Sequence, residues 1–181
     1  MKLAVIFAHA LTVTGIQAQQ IASSDTSQAH AAATQIGAQT HDIGPPEAIA
    51  QLKKLATAYN LATAKKDQSS LLRFYYSRNV PVIGAVSSPS FARMAAASNG
   101  RAPKIFPSNA KDQSTADTSA SATAEKVTNL IIHTDGTVAS LEYDYKIPRG
   151  YGHTFWTLVD TKDAWKITSI VYSINIRPTS Q

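Results

Sequence analysis

The most constraining part of this sequence is its last third, where side-chain character alternates every second residue between turn signals. Over residues 137–147, Ala139, Leu141, Tyr143, Tyr145 and Ile147 share one face, and Ser140, Glu142, Asp144 and Lys146 share the other. That is the period of a strand buried on one side. Residues 127–133 read as the preceding strand, because Thr134-Asp135-Gly136 supplies the positive φ that a tight hairpin needs. After a loop at 148–152, a third strand runs over 153–161 and Lys162-Asp163 turns it. The fourth, over 164–176, is apolar or aromatic on both faces. Consecutive strands with short connections pair as an antiparallel meander.

What precedes the meander is helical. Ile49, Leu52, Leu55, Ala56, Tyr59 and Ala62 recur at three- and four-residue steps, which predicts a helix over 46–65 with one apolar stripe. Pro45-Pro46 suits its start. Asp67 suits the N-cap of a second, short helix over 68–76, with Leu71, Leu72 and Tyr75 inward. Residues 80–86 (VPVIGAV) form a short strand, with Pro81 at a sheet edge or a strand start. Residues 90–97 form a short helix and 99–107 a loop or extended segment. Residues 108–124 are poor in large apolar side chains and read mostly as loop. Helices first and a meander last argue for an α+β domain, with helices on one face of a curved sheet.

The N-terminus reads as an address. Lys2, an apolar run over 3–16 and the small residue Ala18 form an export signal over residues 1–18, too short for a bilayer span. A Gln/Ala/Ser/Thr-rich linker over 19–44 follows, leaving a domain over 45–177. Export to a periplasm or the medium is the expectation. With no cysteine, disulfides and thiolate chemistry are excluded. No later segment approaches the roughly 18 apolar residues of a membrane span, so an integral membrane protein is not expected.

Charge is uneven. Residues 47–111 hold ten Lys/Arg against two acids, whereas 112–181 hold six against eight. Such a basic half could face an anionic partner; the simpler reading is a set of solvated helices. Nucleic acid is disfavoured for an exported chain, which leaves an envelope polyanion or a partner protein.

One stretch carries a resemblance. Residues 152–159 (GHTFWTLV) and 164–173 (AWKITSIVYS) form the pattern GH..W.LV followed by WKI.SI.YS, and 134–139 (TDGTVA) fits the hairpin before it. Over about residues 45–176 the chain resembles the nuclear-transport-factor-2-like superfamily, in particular small exported bacterial members of the SnoaL-like or lumazine-binding type. The resemblance implies a curved antiparallel sheet wrapped on N-terminal helices, cone-shaped and cystatin-like. Its members resemble ketosteroid isomerase, scytalone dehydratase and polyketide cyclases, but also proteins with no chemistry, so fold alone does not name an activity. The chain departs from it at 108–124, where relatives have a more apolar helix.

In such a cone the inward side chains at the open end define a pocket. The candidates are Tyr59, Tyr75, Tyr143, Tyr145, His153, Trp156 and Tyr172, since each ring joins an apolar body to a polar atom. The simpler reading is that they fill the core. Catalysis of the isomerase kind needs a carboxylate beside proton donors, yet Glu142 and Asp144 alternate with Tyr143 and Tyr145 and cannot share their face. A dehydratase-like pair would rest on His153 and an unidentified tyrosine. No metal is expected, because the histidines lack ligand spacing and a nearby carboxylate, and no cofactor motif is present. Three readings follow. The first is a non-enzymatic module binding a small apolar ligand or a protein partner, with a homodimer through an outer sheet face that includes Trp165. The second is a lyase or isomerase using His153. The third is an adaptor for polyanions.

Overall fold

The computed structural model describes residues 42–119, 122–123 and 125–177. The expected export signal and nearly all of the expected linker lie outside the described residues. The linker's last three residues are ordered against the domain: Ile43 bridges His133, and Asp42 accepts from the Ile132 amide (3.0 Å) and pairs with Lys53 (2.7 Å).

Helix α1 (Pro46–Ala64) begins with proline in its first turn and buries Leu52, Ala56, Tyr59 and Ala62 of the expected stripe together with Ala48, while Ile49 and Leu55 pack half-buried at its side. It stops where Lys66 turns left-handed (φ 56°). Asp67 then caps α2 (Gln68–Phe74) by accepting from the Ser70 amide at 3.0 Å. The Ser70 hydroxyl and amide hold the Asp67 carboxyl down at about 2.

Strand β1 (Pro81–Val86) starts on its proline; α3 (Ser88–Ala97), β2 (Ile105–Asn109) and α4 (Ala110–Asp117) follow. The meander is β3 (Lys126–Thr134), β4 (Val138–Ile147), β5 (Gly150–Thr161) and β6 (Ala164–Ile176). The sheet order is β2-β1-β6-β5-β4-β3, antiparallel except for the parallel pair β1/β6. The architecture is therefore α+β, a mixed six-stranded sheet with helices on its inner face.

Three expectations need correction. Strand β1 is internal; the edge is β2, whose Pro107 is tolerated because an edge strand needs fewer backbone donors. Strand β5 begins at Gly150, so the loop shrinks to Pro148-Arg149. Residues 108–124, expected to be mostly loop, contain α4. Asn109 caps that helix by accepting from the Asp112 amide (3.0 Å), and its inward residues are the small Ala110 and Ser114. Small side chains bring a helix close to a sheet without leaving an apolar stripe in the sequence.

The sheet curves through its irregularities. Thr168 is the extra residue where the β5/β6 register slips between Thr157 and Leu158, and β3 bulges between Thr128 and Ile131 around the left-handed Asn129. Bulges bend a strand and sharpen its twist. The concave side holds one core of Leu52, Leu71, Ile132, Leu141, Trp156, Leu158 and Ile167. A satellite core of Val86, Phe106 and Ile174 lies under α3.

Candidate functional site

The helices and strands bring six of the seven candidate residues to the concave side. Tyr59 is the hub. Its ring lies 4.8 Å from Trp156 and 5.8 Å from Phe74, and Trp156 continues edge-on to Tyr143 at 5.6 Å. Tyr59 stands on the buried stripe of α1. Tyr143 and Trp156 sit inward because the period-two alternation of β4 and β5 points them there. Tyr75 closes the group from the end of α2: its hydroxyl and that of Tyr59 are 2.8 Å apart and buried. Tyr145 and Tyr172 form a second pair at 6.5 Å, and the Tyr145 hydroxyl donates to the Ser173 carbonyl at 2.8 Å. A Cβ on Gly152 would lie 2.0 Å from that same carbonyl and 2.7 Å from the Tyr145 ring, so no larger residue fits beneath Tyr145.

His153 is not among them. It lies on the outer face, where β4/β5 register sets it opposite Asp144. Its Nδ1 is 3.0 Å from Asp144 and its Nε2 is 3.1 Å from Glu142. The hydrogen bond to Asp144 raises the imidazole pKa, helped by Glu142, and the same contact lowers that of Asp144. The histidine thus has two carboxylate neighbours, contrary to the expectation from sequence, because cross-strand pairing joins residues nine and eleven apart. The three do not form a metal-holding group; none is found among the described residues. Trp165, expected on the outer face, is 5% exposed and donates to Gln51 on α1 at 3.1 Å. The slip at Thr168 puts Trp165 and Ile167 in phase with the core.

The sequence reading missed the acidic side of the site. Asp117, the last residue of α4, accepts from the Gln113 side-chain amide nitrogen at 2.7 Å. Removal from water pushes its carboxyl up to about 7, against the lowering effect of Gln113 and Tyr59. Glu125, just before β3, is also pushed up to about 7 by the surrounding protein and by Asp117. Its residue surface is exposed at the rim, and that of Asp117 is half-buried. Burial raises the phenols of Tyr59, Tyr75, Tyr143 and Tyr172 above their ordinary value, and the charge of Asp117 adds to each. The i, i+4 pair Gln113/Asp117 after an Asn cap was the signal that could have located this element.

Among the described residues, three buried polar atoms have no hydrogen-bond partner: Trp156 Nε1, Ser114 Oγ and Gln113 Oε1. Native interiors leave few such atoms, and each points to a water, a ligand or a functional constraint. All three belong to this region: Gln113 and Ser114 to α4, Trp156 to the ring that touches Tyr59. On the far side of Tyr75 an open groove of about 440 Å³ runs along α2, lined by Gln68, Leu72, Arg73, Tyr76 and Arg78.

No protein-family model matches the chain, nor does any curated protein. Solved structures do. A nuclear-transport-factor-2-like protein of unknown function from Silicibacter pomeroyi is 21% identical, over 71% of this chain and 97% of that one, with a TM-score of 0.52. A similar protein from Shewanella baltica is 15% identical, over 72% and 96%, with a TM-score of 0.56. A cystatin-like fold protein from Burkholderia xenovorans is 11% identical, over 74% and 95%, with a TM-score of 0.51. At such identities the likeness establishes architecture: this chain has the nuclear-transport-factor-2-like, cystatin-like fold that the resemblance at residues 152–173 implies.

Proposed function

We propose that this chain is an exported module that binds a small, largely apolar ligand against the concave face of its sheet, beneath the end of α4. The observation that carries this reading is the set of buried polar groups without partners among the described residues, Trp156 Nε1 above all, beside the Tyr59–Tyr75 hydroxyl pair. Aromatic walls with a few convergent polar atoms are the usual make-up of a small-molecule site. A packed core would be expected to pair or omit such groups. Export rests on the N-terminal residues alone. A thermal-shift screen of the full chain against uncharged aromatic and alicyclic compounds tests the binding reading. A hit that stabilises the wild type but not a Trp156→Phe variant, which lacks the indole donor, supports it. Equal protection of both, or none, counts against it.

A second reading, proton-transfer chemistry of the lyase or isomerase kind, is favoured by one observation. Asp117, unlike the outward-facing His153, combines a carboxyl near neutrality with tyrosine donors. A base or acid works best with a pKa near the operating pH. Turnover of a compound from the screen, abolished in Asp117→Asn, would establish it; unchanged turnover in that variant would remove Asp117 from the chemistry.

The outer face supports association with a second copy. Phe155 and Val171 pair across β5 and β6 and remain 39% and 44% exposed. Sedimentation equilibrium on the chain and on Phe155→Lys tests this: a dimer that dissociates in the variant is expected, and a wild-type monomer would contradict it.

A further inference from the structure

A second concavity lies outside the core, on the far side of Tyr75. It is the open groove of about 440 Å³ between α2 and the chain that leaves it. Small-molecule sites occupy about 300–1,000 Å³, so the groove has room for one. Its frame is tied to two other elements. The Tyr76 amide donates to the Ile167 carbonyl of β6 at 2.9 Å, and the Arg78 carbonyl accepts from the Lys111 amide of α4 at 3.1 Å. Gln68, on α2, donates to Thr115 of α4 at 2.7 Å. A groove held in this way needs little ordering when a ligand arrives.

The groove is basic, and an open ring stands in its wall. Arg73 and Arg78 line it. Among the described residues no carboxylate pairs with either; the ion pairs are Lys53/Asp42 and those of His153. Lys166 donates to the Arg73 carbonyl, which brings a third cation to the end of α2. The acids of the flanking helices are engaged by their own helix caps. Asp67 accepts from the Ser69 hydroxyl at 2.8 Å and the Ser70 amide at 3.0 Å. Arg73 acts on that carboxylate through space, but its terminal nitrogen donates to Ser70 Oγ at 2.8 Å. Asp112 accepts from the Asn109 side chain at 3.0 Å. Tyr76 is 68% exposed, the most exposed large apolar side chain among the described residues, and Leu72 lines the groove with it.

We propose that this groove is a second ligand site, separate from the concave one, and that it takes a small aromatic carboxylate. The carboxylate lies on Arg73 and Arg78, whose planar forks match it bidentately. The ring packs against Tyr76, in the offset or edge-on manner of aromatic pairs. A cationic ligand would meet three like charges there, and a neutral one would leave both guanidinium groups without a counter-charge. The proposal does not depend on the small-ligand reading of the concave face. Tyr75 separates the two places: its ring lines the groove, and its hydroxyl meets that of Tyr59 inside the fold.

The test uses the full chain and three probes that share one naphthalene body: 2-naphthoate, 2-naphthamide and 2-naphthylmethylamine. Calorimetry at neutral pH reads their affinities at low and at physiological salt. The acid is expected to bind most tightly and to weaken with salt, because the charges it meets are partly exposed. Arg73→Gln and Arg78→Gln are each expected to weaken it about tenfold, the scale of one hydrogen bond to a charged group. Trp156→Phe is expected to leave it unchanged. The head-group comparison on the wild type decides the matter even if a variant fails to fold. The amide or the amine binding as tightly as the acid would overturn the proposal, and so would no binding of the acid. Full affinity in both arginine variants would place the acid elsewhere and overturn it too. The uncharged screen with Trp156→Phe judges the concave face separately, so either site can fail without the other.

Discussion

The hydroxyls of Tyr59 and Tyr75 lie 2.8 Å apart inside the fold although sixteen residues separate them in the chain. The contact joins α1 to the end of α2. Removing either hydroxyl strands the other. Tyr59→Phe and Tyr75→Phe are therefore each expected to cost about 1–3 kcal/mol, the penalty of an unpaired buried group. Urea unfolding of both single variants and the double variant measures the coupling, expected at about 0.5–3 kcal/mol for groups in one network. Strict additivity would mean that the hydroxyls do not interact.

Asp117 makes stability depend on pH in an unusual direction. Its carboxyl keeps its proton in the folded chain up to about 7, against an ordinary 3.8. The folded state thus binds more protons than the unfolded chain between those values, and stability falls as pH rises across that window. Asp117→Asn, neutral throughout, is expected to gain stability over the wild type at pH 8 and little at pH 4. Melting temperatures of the two proteins from pH 4 to 8 check this; parallel curves would place Asp117 in water.

On the outer face His153 titrates with the opposite consequence for Asp144. The histidine is raised above its ordinary 6.5, so its contribution is whole below that value and fades as pH rises through the folded value. Asp144 is lowered from 3.8, so its contribution is whole above that value and fades as pH falls. The latch between β4 and β5 therefore holds best between 3.8 and 6.5. His153→Gln is expected to flatten the alkaline side of the stability profile without touching ligand binding. Loss of binding in that variant would return His153 to the site.

The legible part of this fold was its periodic part. The α1 stripe from Leu52 to Ala62 and the alternation from Ala139 to Tyr145 both stand as the sequence set them, because each buries one face of a regular element. From those two patterns Tyr59 and Tyr143 could both be placed on the core side. His153 and Trp165 were misplaced for a common reason: a one-residue change in register moves a strand residue to the other face, and turns and bulges are weakly written in sequence. The slip at Thr168 turns Trp165 inward, and His153 alternates with the inward Thr154 and Gly152. Asp117 was hidden differently. Its helix packs through Ala110 and Ser114, whose burial produces no apolar pattern to read.

The most direct test of the account is a carbon-detected NMR titration of the Asp117 carboxyl in the full chain, assigned by comparison with Asp117→Asn. The account predicts a midpoint near 7. A midpoint at the ordinary carboxylate value would mean that Asp117 faces water and takes no part in the concave site.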